Sequence, residues 1–136
     1  MRITKNDEEL ISQAIEIINK NKDLYKQKDL IVGAVLKTRS GNIYKGINIK
    51  TSHSVCAEQV ALGQALANGE REFDTIVAVK FNKGGMIRVV SPCGLCRYIL
   101  DNLDMDINVL VEDEKTGKVL KVKASELLPY PYNRNI

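Results

Sequence analysis

The chain has 136 residues, 44% of them hydrophobic and 27% charged, with a net charge of +3. That length suits a single domain over residues 1–136 and is short for two, and the ordinary composition excludes a low-complexity chain. Basic residues interleave with acidic ones, as in "NKNKDLYKQKDL", which describes a solvated face and argues against a nucleic-acid partner.

The opening "MRITKNDEELISQ" has no apolar segment of the signal-peptide kind, and no apolar run reaches the length of a membrane span. These features predict a cytoplasmic protein with no membrane partner and with reduced cysteines. In "NDEELISQAIEIINKNK", Asn6 is the predicted cap of a first helix, with Glu9 three positions on. Leu10, Ile11, Ala14, Ile15, Ile17 and Ile18 form its apolar stripe. "DLIVGAVLKTRSGNIYKGINI" reads as two strands joined at "RSGN", with Gly33 marking a close backbone approach or bulge.

"SVCAEQVALGQALANG" is a second helix, with Ser54 as predicted cap, small alanines for close packing and Gly69 at its end. "FDTIVAVKF" is a short strand buried on both faces. "SPCGLCRYILDNL" opens a third helix, with Ser91 as cap and Pro92 at the first helical position. "INVLVED" and "KVLKVKA" are two more strands around "DEKTGK", and "SELLPYPYNRNI" is a helical turn and tail. The order of helix, two strands, helix, strand, helix, two strands favours one sheet with helices on its faces.

The cysteines carry the chemistry. Three of them cannot pair evenly, so metal binding or catalysis is their better use. Cys93 and Cys96 lie on adjacent turns at one helix start, and Cys56 lies at another. The partial positive charge of a helix N-terminus stabilises thiolate, and two such ends brought together suit one zinc ion. Three protein ligands leave a fourth tetrahedral position open to water, as in catalytic sites. A carboxylate beside it can move protons, and Glu58 is placed for that. The alternative uses His53, the sole histidine: "HSVC" and "CGLC" have matched spacing. His53, Cys56, Cys93 and Cys96 would then close a structural Cys3His site in a non-catalytic zinc-stabilised binding module.

"CAE" followed by "PCGLC" resembles the zinc signature of the cytidine deaminase family. "IVGAVLKTRSGNIYKGINI" is similar to that family's first hairpin, "SPCGLCRYILDNL" to its second metal helix and "ASELLPYPY" to its C-terminal end. The resemblance implies a three-layer α/β/α cytidine-deaminase-like fold with a five-stranded mixed sheet. It implies zinc on Cys56, Cys93 and Cys96, Glu58 as proton shuttle, and hydrolysis of a cytosine amino group in a small nucleoside or analogue. Ala57 and Ser91 would contact the pyrimidine edge through their backbones, and Asn48 would reach the ribose. A homotetramer is the implied assembly, with a homodimer as the smaller option. Tyr130 and Tyr132 would cover a neighbour's substrate, or else form an exposed, proline-bounded tail.

Three departures point within the family. Asn48-Ile49-Lys50 stands where cytidine deaminases carry asparagine, any residue and glutamate. The segment from Asn48 to Cys56 is short, and Gln59 stands where three-cysteine members often have arginine. These features resemble the blasticidin S deaminase branch. They also leave the charge of three thiolates to be offset, for which Arg97 is the nearest cation in sequence. An ammonium can only donate hydrogen bonds, so Lys50, if it lines the sugar pocket, favours an anionic group such as the carboxylate on the sugar ring of blasticidin S. A lysine at a strand end equally faces solvent.

Overall fold

The computed structural model describes residues 1–132. Its elements are α1 (Lys5–Lys20), β1 (Val32–Thr38), β2 (Ile43–Ile47), α2 (Ala57–Ala67), β3 (Phe73–Phe81), β4 (Ile87–Val90), α3 (Gly94–Leu103), β5 (Asn108–Glu112) and β6 (Val119–Lys123). Short 3-10 turns occupy Lys28–Leu30 and Ala124–Leu127. The strands form one sheet in the order β2-β1-β3-β5-β6, with β4 also on β3. All neighbours are antiparallel except β3 and β5, which run parallel.

Among the described residues the sheet has six strands, one more than the five predicted. The addition is β4, whose four residues are too few to show a period in sequence. It forms because β5 pairs with β3 at Thr75 and Ile76 only. Ile87 to Val90 then pair along the rest of that edge, from Phe81 back to Ala78, so its backbone groups are not left unpaired.

Period-two alternation along the strands feeds two core layers. Val35, Val77, Val79 and Leu110 pack with Leu10, Ala14 and Ile18 of α1. Leu36, Ile76, Val109 and Val111 pack on the opposite side with Ala61, Leu62 and Ala65 of α2 and Leu100 of α3. The three-layer α/β/α arrangement follows, with α2 and α3 side by side on one face.

Helix α1 begins earlier than its sequence suggests. Thr4, not Asn6, is the N-cap: its side chain accepts from Asp7 N (3.2 Å), and Asp7 Oδ2 accepts from Thr4 N (2.9 Å). The capping acid is Asp7 rather than Glu9 because Asp7 also reaches Lys121 Nζ of β6 at 2.6 Å, in a pair almost wholly out of solvent. Burial pushes the Asp7 carboxyl up, but the Lys121 ammonium and the Thr4 N–H outweigh it and hold it below its ordinary value of 3.8. A depressed native pKa contributes stability above the unfolded value and loses it as pH falls through the native one. Asp7→Asn is therefore expected to cost about 3 kcal/mol in urea unfolding at neutral pH, with the gap to the parent closing in acid. A gap that does not change with pH would show that the charge of Asp7 contributes nothing.

Two glycines set how closely helices approach the sheet. A Cβ on Gly33 would lie 3.0 Å from Ala14 O and from Ile18 Cγ2 of α1, so the predicted close approach is present. Gly46 in β2 matters more to the site. A Cβ there would lie 2.7 Å from Ala61 N and closer still to Ala57 O, inside the backbone of α2. Only glycine lets the first turns of α2 rest on β2. Gly46→Ala is expected to lower thermal stability and to weaken metal affinity at least about tenfold, since it shifts the turn that carries Cys56. Unchanged metal affinity would mean that α2 adjusts by sliding.

Candidate active site

Both cysteine-bearing helices start later than predicted. The N-cap of α2 is Cys56, not Ser54, and that of α3 is Cys93, not Ser91, with Pro92 just outside the helix. Neither cap makes a side-chain hydrogen bond of the usual kind. Ser54 instead closes the turn before α2, donating to Thr51 O (2.9 Å) and accepting from Thr51 N (3.3 Å). Paired hydrogen bonds between Ile49 and Val55 (2.9 Å each) then aim the chain into Cys56. The thiols occupy the positions where serine or aspartate would normally satisfy first-turn N–H groups.

The Sγ atoms of Cys56, Cys93 and Cys96 all lie within 4.8 Å of one another. Cys56 and Cys93 are 3.7 Å apart, close to the roughly 3.8 Å that tetrahedral geometry requires at a Zn–S distance near 2.3 Å. His53 is exposed, lies outside this group and takes Thr51 Oγ1 on its backbone N–H. The Cys3His alternative is therefore not assembled, and three soft sulfurs with an open fourth side fit zinc.

The thiols need a cation between them. Burial pushes the Cys56 thiol up, as do its neighbours Cys93 and Glu58. Burial and the charge of Glu58 push Cys96 up much further. Cys93 goes down: burial opposes this, but N–H groups of Cys96 and Leu95 in the first turn of α3 outweigh it. A dication neutralises the mutual repulsion that keeps the other two protonated. Gln59 Nε2 donates to Cys96 Sγ (3.8 Å) and so withdraws charge from that sulfur. Arg97 is aimed elsewhere, with Nε donating to Pro92 O (2.8 Å), where it braces the entry to α3.

Glu58 follows Cys56 by two positions and is 6% exposed. Burial raises its carboxyl above the ordinary value, only partly countered by a backbone hydrogen bond, the direction that suits a group exchanging protons with a substrate. A pocket of ≈ 250 Å³ adjoins these groups, and its wall includes Cys56, Ala57, Glu58, Ser91 and Cys93 together with Val32, Asn48 and Lys80. Clefts of ≈ 520 and ≈ 510 Å³ flank the β3–β4 turn, but neither contains a thiol or Glu58.

Asn48 is buried on the wall. Its Oδ1 accepts from Val32 N (2.9 Å) and its Nδ2 donates to Leu30 O (2.8 Å). The amide thus has a fixed orientation with one lone pair and one N–H left for a ligand. Lys50 does not join it. Lys50 is exposed and absent from the pocket wall, and its backbone N–H is tethered to Tyr25 Oη (2.8 Å) in the turn that leads away from β2. The lysine on the wall is Lys80, inside the strand that reads in sequence as buried on both faces. Tyr130 and Tyr132 are 101% and 73% exposed and touch no part of this pocket's wall.

The family model described as the cytidine and deoxycytidylate deaminase zinc-binding region matches residues 4–111. A blasticidin-S deaminase from Bacillus cereus is 39% identical over 140 residues, covering 98% of this chain and 96% of the relative. A cytidine deaminase from Halalkalibacterium halodurans is 33% identical, covering 72% of this chain and 74% of that one. The crystal structure of a cytidine deaminase from Burkholderia pseudomallei superposes with a TM-score of 0.69 at 29% identity, over 89% of this chain and 98% of the other. The cysteine cluster, the buried glutamate and the layered sheet thus occur together in a chain that belongs to the zinc-binding cytidine and deoxycytidylate deaminase family.

Proposed function

We propose that the chain, acting as a single domain, is a zinc-dependent hydrolase that converts a cytosine nucleoside or analogue to the uracil form and ammonia. The observation that carries this reading is the pairing of a three-thiol cluster with a buried Glu58 in the lining of one small pocket. Full-length similarity to a blasticidin-S deaminase supports it.

Zinc supplies the Lewis acidity that makes water a nucleophile at neutral pH. Cys56, Cys93 and Cys96 would hold it. Glu58, as a carboxylate, would take one proton from the attacking water and pass it to N3 of the ring, then take the second from the added hydroxyl and pass it to the departing amino nitrogen. Its burial makes it a carboxyl that can both hold and release a proton. Ala57 and Ser91 present backbone groups to the pyrimidine edge, and Asn48 offers its free lone pair and N–H to a sugar hydroxyl. The pocket is small enough to exclude most water once a base fills it.

The proposed assembly is a homotetramer, in which Tyr130 and Tyr132 reach a neighbour's pocket. Their near-complete exposure supports this, as does the apolar surface of α3 at Leu95 and Tyr98. Among the described residues no helix is long and apolar enough to cross a membrane. The test is ammonia release from cytidine, deoxycytidine and blasticidin S, with adenosine as control. Turnover of at least one cytosine compound and none of adenosine is expected. Zinc-loaded protein that releases ammonia from no cytosine compound would overturn the reading.

A further inference from the structure

Lys80 is partly buried near the end of β3 and lines the pocket. Strand alternation puts it on the same face as Ala78, which packs with Ala34 and with Ala57, the residue after Cys56. Its cross-strand partner on β1 is Val32, whose backbone N–H is held by Asn48. Lys80 therefore stands at the Asn48 end of the pocket.

Its partner on β4, Arg88, is neutralised by an ion pair with Glu112. Among the described residues Lys80 has no such ion pair. Lys80 also lines the neighbouring cleft with Asp29, Glu112 and Glu114, none of which forms an ion pair with it. An ammonium without a direct ion pair in a partly desolvated wall gains most from an anion that arrives with the ligand.

We infer that Lys80 is a specificity-determining residue that selects cytosine nucleosides bearing an anionic group at the sugar end. The inference rests on the proposed reading of this pocket as the substrate site. Lys80 provides the cation that the sequence suggests at Lys50, on a wall that Lys50 does not reach. The anion is a carboxylate or a phosphate, since a compact ammonium binds either.

The experiment compares kcat/KM for cytidine, cytidine 5′-monophosphate and blasticidin S in the parent, Lys80→Gln and Lys80→Arg. The two anionic probes distinguish phosphate from carboxylate. In Lys80→Gln, the ratio of the better anionic probe to cytidine is expected to fall about 10- to 100-fold, mainly through KM. Lys80→Arg should recover most of that ratio, and added salt should erode it in the parent more than in Lys80→Gln. A ratio within about twofold of the parent's in Lys80→Gln overturns the assignment of Lys80 but leaves the deaminase reading standing. A parent that turns over none of the three overturns both.

Discussion

Glu58→Gln is expected to fold, keep its metal and lose at least about 10²- to 10⁴-fold in kcat, the range that positioned proton transfer supplies. Glutamine keeps the size and polarity of the side chain but can neither accept nor return a proton. Stability should move the other way. Burial raises the Glu58 carboxyl, so between its ordinary and its raised value the native state holds a proton that the unfolded chain has released. Such a group loses stability for the protein as pH rises through the raised value. The variant should therefore be at least as stable as the parent at neutral pH, and the difference should vanish in acid. Thermal unfolding and single-turnover kinetics on one preparation read both effects. Activity within a few-fold of the parent would reduce Glu58 to a packing residue.

Cys96→Ser is expected to abolish metal binding together with activity. Cys96 is 1% exposed, and its sulfur is one of only three soft donors in the cluster. Serine offers a hard oxygen that stays protonated, a poor replacement for thiolate on zinc. Zinc per chain should fall from about one to near zero, and the melting temperature should drop to that of the chelator-treated parent, because metal bound only to the native state stabilises it. His53→Ala should retain zinc, since that side chain lies outside the cluster. Normal zinc in Cys96→Ser, or its loss in His53→Ala, would require a different ligand set.

Much of this is legible in the sequence, because the determining signals are local. The stripe from Leu10 to Ile18, the glycine at Gly41 in the hairpin (φ +93°) and the glycine at Gly69 ending α2 (φ +87°) act within a turn or two. So does the short spacing that puts Cys93 and Cys96 in one helical turn. The helix caps are less legible. Ser54 and Ser91 are better N-cap residues than cysteine by propensity, and what displaces them is the convergence of two helix ends, which is tertiary. The same holds for Asp7, chosen over Glu9 by an ion pair with a strand more than a hundred positions away.

The pocket wall is the least legible part. Lys50 is three positions beyond the end of β2 and invites a place beside Asn48, but the Ile49–Val55 bridge and the hydrogen bond to Tyr25 turn it outward. Lys80 sits in an apolar run, and nothing local marks it. Its position follows only from the register that sets it opposite Val32. Gly46 has no sequence signal either, since its role is the space it leaves for Ala57 and Ala61. Gln59 lies one helical turn from Cys56, which alone is a weak signal for a hydrogen-bond donor to the Cys96 sulfur.

Titration of zinc into metal-stripped protein, with ammonia release from a cytosine nucleoside followed alongside, tests the central claim most directly. Activity should rise in proportion to bound zinc and level off at about one ion per chain, as a single three-thiol site requires. Activity that is independent of bound zinc, or a chain that takes up one zinc and releases no ammonia from any cytosine nucleoside, would contradict it.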